Sequence, residues 1–143
     1  MQKSKEQGAL KAGIGAIPLL GMPLFDSGSD LACEICAAMN RASVTLQSGD
    51  VIVLAQKIVS KQEDRAVVLA DVVAGDDAHR VALETGREPE MLQLILDESS
   101  ELLRTTPAAI IARHKTGHVL ANAGIDASNI EGGDRGRVLL WPQ

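Results

Sequence analysis

An α+β fold, a mixed sheet with hairpins and helices in a single domain over residues 1–143, is predicted by three observations. Apolar β-branched runs such as VIVLAQKIV (51–59) are interleaved with segments of helical period, and the two types do not alternate strictly, which disfavours a doubly wound sheet. Hydrophobic residues make up 45% of the chain, enough for a core at this length. That core must be aliphatic, because Phe25 and Trp141 are the only aromatic residues.

Taken in order, residues 14–20 (IGAIPLL) read as a short strand entering the loop Gly21-Met22-Pro23. DSGSD then supplies turn and capping residues, and Leu31, Ile35, Ala38 and Met39 recur at helical spacing, predicting a helix from about Asp30 to Asn40. QSGD (47–50) is a turn, 51–59 a buried strand, and 65–73 (RAVVLADVV) the next strand, its expected hairpin partner. A short helix over 76–86 closes at Gly86, and a longer one runs from about Pro89 to Arg104, with proline where a missing N–H costs nothing. Strands at 107–113 and 115–123 flank a turn at Gly117, 131–136 form a loop, and 137–143 are a last strand.

The formal net charge of -5 and the scarcity of aromatic residues exclude nonspecific nucleic-acid binding, which needs a basic surface. No apolar run is long enough to cross a bilayer. The apolar stretch GAIPLLGMPLF (15–25) is interrupted by two prolines and two glycines and preceded by Glu6, so a cytoplasmic protein is expected rather than an exported one.

Several constellations read as structural. Cys33 and Cys36 have redox or zinc-like spacing but fall in a helical pattern without a second pair, and are expected to be buried thiols. His114 and His118 are expected on the surface of a hairpin, and Asp97, Glu98 and Glu101 on the solvated side of a helix. No Ser/His or Cys/His nucleophilic pair is indicated, so no catalytic side chain is assigned. Two stretches carry more. In AQKIVSK (55–61), Ser60 and Lys61 at a strand end place a hydroxyl and an ammonium where phosphate oxygens are received. In NAGIDASN (122–129), small residues admit a ligand close to the backbone, Asp126 offers a hard oxygen suited to Mg²⁺ or Mn²⁺, and Asn129 offers a donor and an acceptor.

Together, LLGMP (19–23), SGDVIVLAQKIVSK (48–61), LILDESSELLRT (94–105) and GHVLANAGIDASN (117–129) resemble, in order and spacing, the coenzyme F420-0:L-glutamate ligase (F420 gamma-glutamyl ligase) family. The resemblance implies a GTP-dependent enzyme that uses Mg²⁺ or Mn²⁺ and adds L-glutamate by gamma linkage to coenzyme F420-0 through an acyl phosphate, as a homodimer. It implies that Leu20, Gly21, Met22 and Pro23 form a nucleotide-contacting loop, with Ala55 and Gln56 beside the nucleotide. It implies further that Lys61 meets phosphate, Asp126 ligates metal and Asn129 contacts the nucleotide. Family members continue beyond the point matching Gln143, into a stretch with a metal-binding Asp-Thr pair that these 143 residues lack. The expectation is therefore an N-terminal portion, truncated or completed by a separate chain. The alternatives are a noncatalytic nucleotide- or metal-binding module and a structural remnant of that fold.

Overall fold

The computed structural model describes residues 14–127 and 136–143. Helix α1 (Leu31–Ala42) begins where the Asp30 carboxylate accepts the Cys33 N–H at 2.9 Å, and it ends at Ser43 in a left-handed conformation. Its inward side is Ile35 and Ala38. Cys33 and Cys36 point away and are exposed, contrary to the expected buried thiols, because the buried stripe runs through positions 35 and 38.

Residues 14–20 and 51–55 form no strand. Both are irregular, and Val51 and Val53 are more than four-fifths exposed. The β-branched run fits a strand, but among the described residues none hydrogen-bonds to it as a sheet neighbour. Its second half instead forms helix α2 (Gln56–Gln62), where Gln, Lys and Ser are compatible with a helix and the two β-branched residues are too few to prevent it.

Strand β1 is correspondingly short (Ala66–Val68) and passes into a 3-10 turn at Leu69–Asp71. Its partner is β5 (Arg137–Leu139), paired antiparallel with Val67 opposite Val138, and not the preceding apolar run. The terminal strand thus stops at Leu139, although the Leu140 N–H still reaches the Arg65 carbonyl at 2.9 Å.

Helix α3 (Asp76–Thr85) ends on Gly86, whose φ of 69° is ready for a left-handed cap, and α4 (Pro89–Glu98) starts with proline in its first turn. The expected continuation of α4 to Arg104 is a strand, β2 (Ser99–Thr105). Register shifts between Ser99 and Glu101 and between Leu102 and Arg104 insert an extra residue twice in its pairing with β3 (Ile110–His114). The more buried residues, Ser99, Leu102 and Thr105, therefore recur every third position, a spacing that imitates a helix in the sequence. Strand β4 (Val119–Ala121) completes a sheet in the order β2-β3-β4, with β3 central and the turn at Gly117 as expected. The aliphatic core lies between α3, α4 and this sheet, around Val81, Leu92, Ile95, Ile110 and Ala112, and extends to Ile125 and Val138.

Candidate functional site

Immediately after β4 the backbone turns left-handed at three successive residues: Asn122 (φ 50°), Ala123 (φ 53°) and Gly124 (φ 77°). Such a conformation costs about 1–2 kcal/mol for each residue bearing a Cβ, so the surroundings must enforce it. Ala123 is fully buried. The Asn122 Oδ1 accepts from Arg87 Nη1 at 2.8 Å, and the Gly124 carbonyl accepts from Gln56 Nε2 at 3.1 Å. Gly124 also faces Trp141 so closely that a Cβ would lie 2.6 Å from its ring. The turn delivers Ile125 to the core and fixes Asp126 by a reciprocal pair of backbone hydrogen bonds with Leu139, at 2.8 and 2.9 Å.

The Asp126 carboxylate meets α2. Lys57 Nζ lies 3.2 Å from Asp126 Oδ2, with both side chains about a quarter exposed. Four residues later on the same helix, Lys61 joins Lys57 in lining an open cavity of about 260 Å³, whose other walls are Met22, Pro23, Leu24, Phe25, Ala55 and Ile58. The i,i+4 relation aims both ammonium groups to one side.

The structure thus brings together Met22, Pro23, Ala55 and Lys61 around one cavity, with Asp126 joined to its rim by Lys57. Gln56 does not line the cavity; it ties the start of α2 to the left-handed turn. Gly21, at φ 71°, bends the loop and its carbonyl accepts from Arg41 Nη2 at 3.0 Å, while Leu20 points outward and is three-quarters exposed. Lys61 stands on a helix and not on a strand-end turn, and its neighbour Ser60 is wholly buried, within 3.4 Å of Gln56 Nε2. Asn129 lies outside the described residues.

Among the described residues no three of His, Cys, Asp and Glu gather to hold an ion. Asp126, ion-paired to Lys57 at the rim of the cavity, would offer a hard cation one carboxylate ligand there.

A second polar cluster buttresses the site. Glu98, expected on a solvated face, is buried where α4 ends, and its Oε2 accepts from Arg65 and from His114 Nε2, the latter at 3.2 Å. His114, expected on a hairpin surface, is 1% exposed. The Thr116 N–H donates to its Nδ1 at 3.1 Å, which assigns the ring proton to Nε2, facing Glu98. Arg65 Nε also donates to the Trp141 carbonyl at 3.2 Å, and the Trp141 ring packs on Gly124. The cluster and the left-handed turn therefore share one support.

Lys57, Arg65, Arg87 and Glu98 were not assigned to the site from sequence. For Lys57 the signal was present: read as a helix, QKIVSK puts both lysines on one face. The other three act through pairings 16 to 76 residues apart, which no local pattern reveals.

The sequence model of the family described as F420-0:Gamma-glutamyl ligase matches residues 20–143. The chain belongs to that family. F420-0:gamma-glutamyl ligase relatives include a coenzyme F420:L-glutamate ligase of Methanothermobacter thermautotrophicus, 40% identical over 121 residues, covering 85% of this chain and 48% of that protein. The proteins of the same description from Methanosarcina mazei and Halorubrum lacusprofundi are 35% and 37% identical, covering 89% and 90% of this chain and 46% and 49% of theirs. The chain spans about half the length of the curated relatives it matches. Every motif that carried the resemblance falls within the matched residues except Leu19.

Proposed function

We propose that this chain supplies the phosphate- and cation-binding part of a GTP-dependent ligase that joins L-glutamate, by gamma linkage, to coenzyme F420-0. The observation that carries the proposal is the meeting of Lys57, Lys61 and the Met22–Pro23 loop at one cavity whose rim leads directly to Asp126. Relatives bearing the ligase description, alike over most of this chain, support the choice of reaction.

The chemistry asks little of a protein nucleophile. A substrate carboxylate attacks the γ-phosphorus of GTP, the bond to the β-phosphate oxygen breaks, and GDP leaves with that electron pair. The amine of glutamate then attacks the acyl phosphate, loses a proton and expels inorganic phosphate, leaving an amide. Lys57 and Lys61 offset the phosphate charge and hold its position. Asp126 would supply one carboxylate to Mg²⁺ or Mn²⁺, which when bound would offset charge on the phosphate oxygens.

Because the chain spans about half of its relatives, the active form is read as one completed by further sequence, in the same or a separate chain. The exposed apolar run 51–54 gives the added part an apolar surface to pack against. The reading includes a homodimer in the cytoplasm. Its test is to supply the remaining portion from a relative and assay GTP-dependent addition of glutamate to F420-0. Formation of the glutamylated product with release of GDP is expected. A folded complex that binds GTP and forms no product would reduce the chain to a noncatalytic binding module.

A further inference from the structure

We infer that Cys33 and Cys36 form a reversible thiol–disulfide site on α1 that reacts with low-molecular-weight disulfides. They are the only cysteines of the 143 residues, and both are exposed. They stand three positions apart on a helix whose buried side is Ile35 and Ala38, so both thiols are accessible on the side away from the core. Two sulfurs fall short of the ligand set of a structural zinc ion, and among the described residues no three of His, Cys, Asp and Glu gather around an ion. A neighbouring pair of accessible thiols needs no third ligand to exchange disulfides.

In that exchange one cysteine, as its thiolate, attacks a sulfur of the reagent RSSR; the reagent's S–S bond breaks and RS⁻ leaves with the electron pair. The second thiolate attacks the protein sulfur of the mixed disulfide and expels the other RS⁻. The two protein thiols are oxidised to one disulfide, RSSR is reduced to two RSH, and the protons of the protein thiols end on the two leaving groups.

The helix sets how easily the bridge is reversed. Helical residues three apart have Cα atoms about 5 Å apart, within the range of about 4.4–6.8 Å that a disulfide spans. Their Cβ atoms stand about 5–6 Å apart, against about 4 Å in a relaxed bridge, so closure must draw them together by about 1–2 Å. That movement falls on the first turns of α1, where the Asp30 carboxylate holds the Cys33 N–H at 2.9 Å. The folded helix therefore favours the dithiol, small thiols reopen the bridge, and oxidation in turn weakens the fold.

The test treats the whole chain and its Cys33→Ser and Cys36→Ser variants with oxidised glutathione and reads intact mass after acid quenching. The unsubstituted chain should lose two hydrogens, stay monomeric and carry no adduct, whereas each serine variant should stop with one glutathione attached. In buffers of reduced and oxidised glutathione, the equilibrium constant for closing the bridge should be at least about threefold larger for the chain unfolded in urea than for the folded chain. The oxidised chain should correspondingly unfold at lower urea than the reduced one. An unsubstituted chain that keeps two glutathiones, forms mainly disulfide-linked dimers or fails to react while folded would overturn the site. Equal closing constants in the folded and unfolded chain would overturn the role given to the helix.

Discussion

Gly124→Ala tests whether the left-handed turn before Asp126 is held against its own strain. At φ 77° the new side chain enters a conformation that costs an L-residue about 1–2 kcal/mol. Restricting the unfolded chain returns about 0.4–1 kcal/mol, so these two effects nearly cancel. What remains is steric. The added Cβ would meet Trp141 Cε3 at 2.6 Å, Leu120 Cδ1 at 2.9 Å and Trp141 Cδ2 at 3.0 Å. Leu120 can rotate, but Trp141 is held, because its carbonyl accepts from Arg65 and its ring lies 5.9 Å from that of His118. Overpacking of this kind costs about 1–3 kcal/mol, and the whole substitution should cost about 2 kcal/mol. With a urea dependence of about 2 kcal/mol/M, the unfolding midpoint should fall by about 1 M in circular dichroism. Gly75→Ala is the control, since its Cβ would meet only Gln93 Oε1 at an ordinary 3.4 Å and its φ of -88° suits alanine. A Gly124→Ala midpoint no lower than that of Gly75→Ala would refute the reasoning.

Glu98→Ala leaves the partly buried Arg65 guanidinium and the buried His114 without their carboxylate and should destabilise the fold by about 2 kcal/mol, read as a lowered thermal midpoint; an unchanged midpoint would show the cluster carries no load. Gln56→Ala removes the bond to the Gly124 carbonyl and should cost only about 1 kcal/mol in urea unfolding, yet weaken Mn²⁺-dependent nucleotide binding by loosening the turn that presents Asp126. Replacing the exposed Val51 and Val53 together by lysine should change the stability of this chain by no more than about 0.5 kcal/mol each while preventing association with the remaining portion of the ligase. Undiminished association, measured by size-exclusion chromatography, would remove the contact assigned to that stretch.

The α+β class, the helices α1 and α3, the start of α4 and the turn at Gly117 were legible because each rests on local signals: periodicity, caps, and glycine where φ is positive. The errors have a common cause. Residues 51–59 and β1 both look like strands, and nothing local says that β1 prefers the distant β5 and that the apolar run goes unpaired among the described residues. Likewise the two bulges in β2 gave SSELLRT a period of three, which a sequence reading takes for helix. Met22, Pro23, Ala55, Lys61 and Asp126 were named from motifs, and the fold places them around one cavity and its rim. Their mutual geometry was not legible, since Lys57 joins Asp126 across 69 positions and only the fold of the turn at 122–124 makes that contact. His114 shows the same limit: its hairpin neighbour Thr116 holds one ring nitrogen, but the other meets Glu98, 16 positions away at the end of α4.

The claim that α2 and the Asp126 turn form one nucleotide–cation site meets its most direct test in calorimetric titration of GTP into this chain with and without Mn²⁺. The account predicts saturable binding that Mn²⁺ strengthens, with the Mn²⁺-dependent part lost in Asp126→Asn and the overall affinity lowered in Lys61→Met. Binding that is equal with and without Mn²⁺, or unchanged by Asp126→Asn, would contradict it.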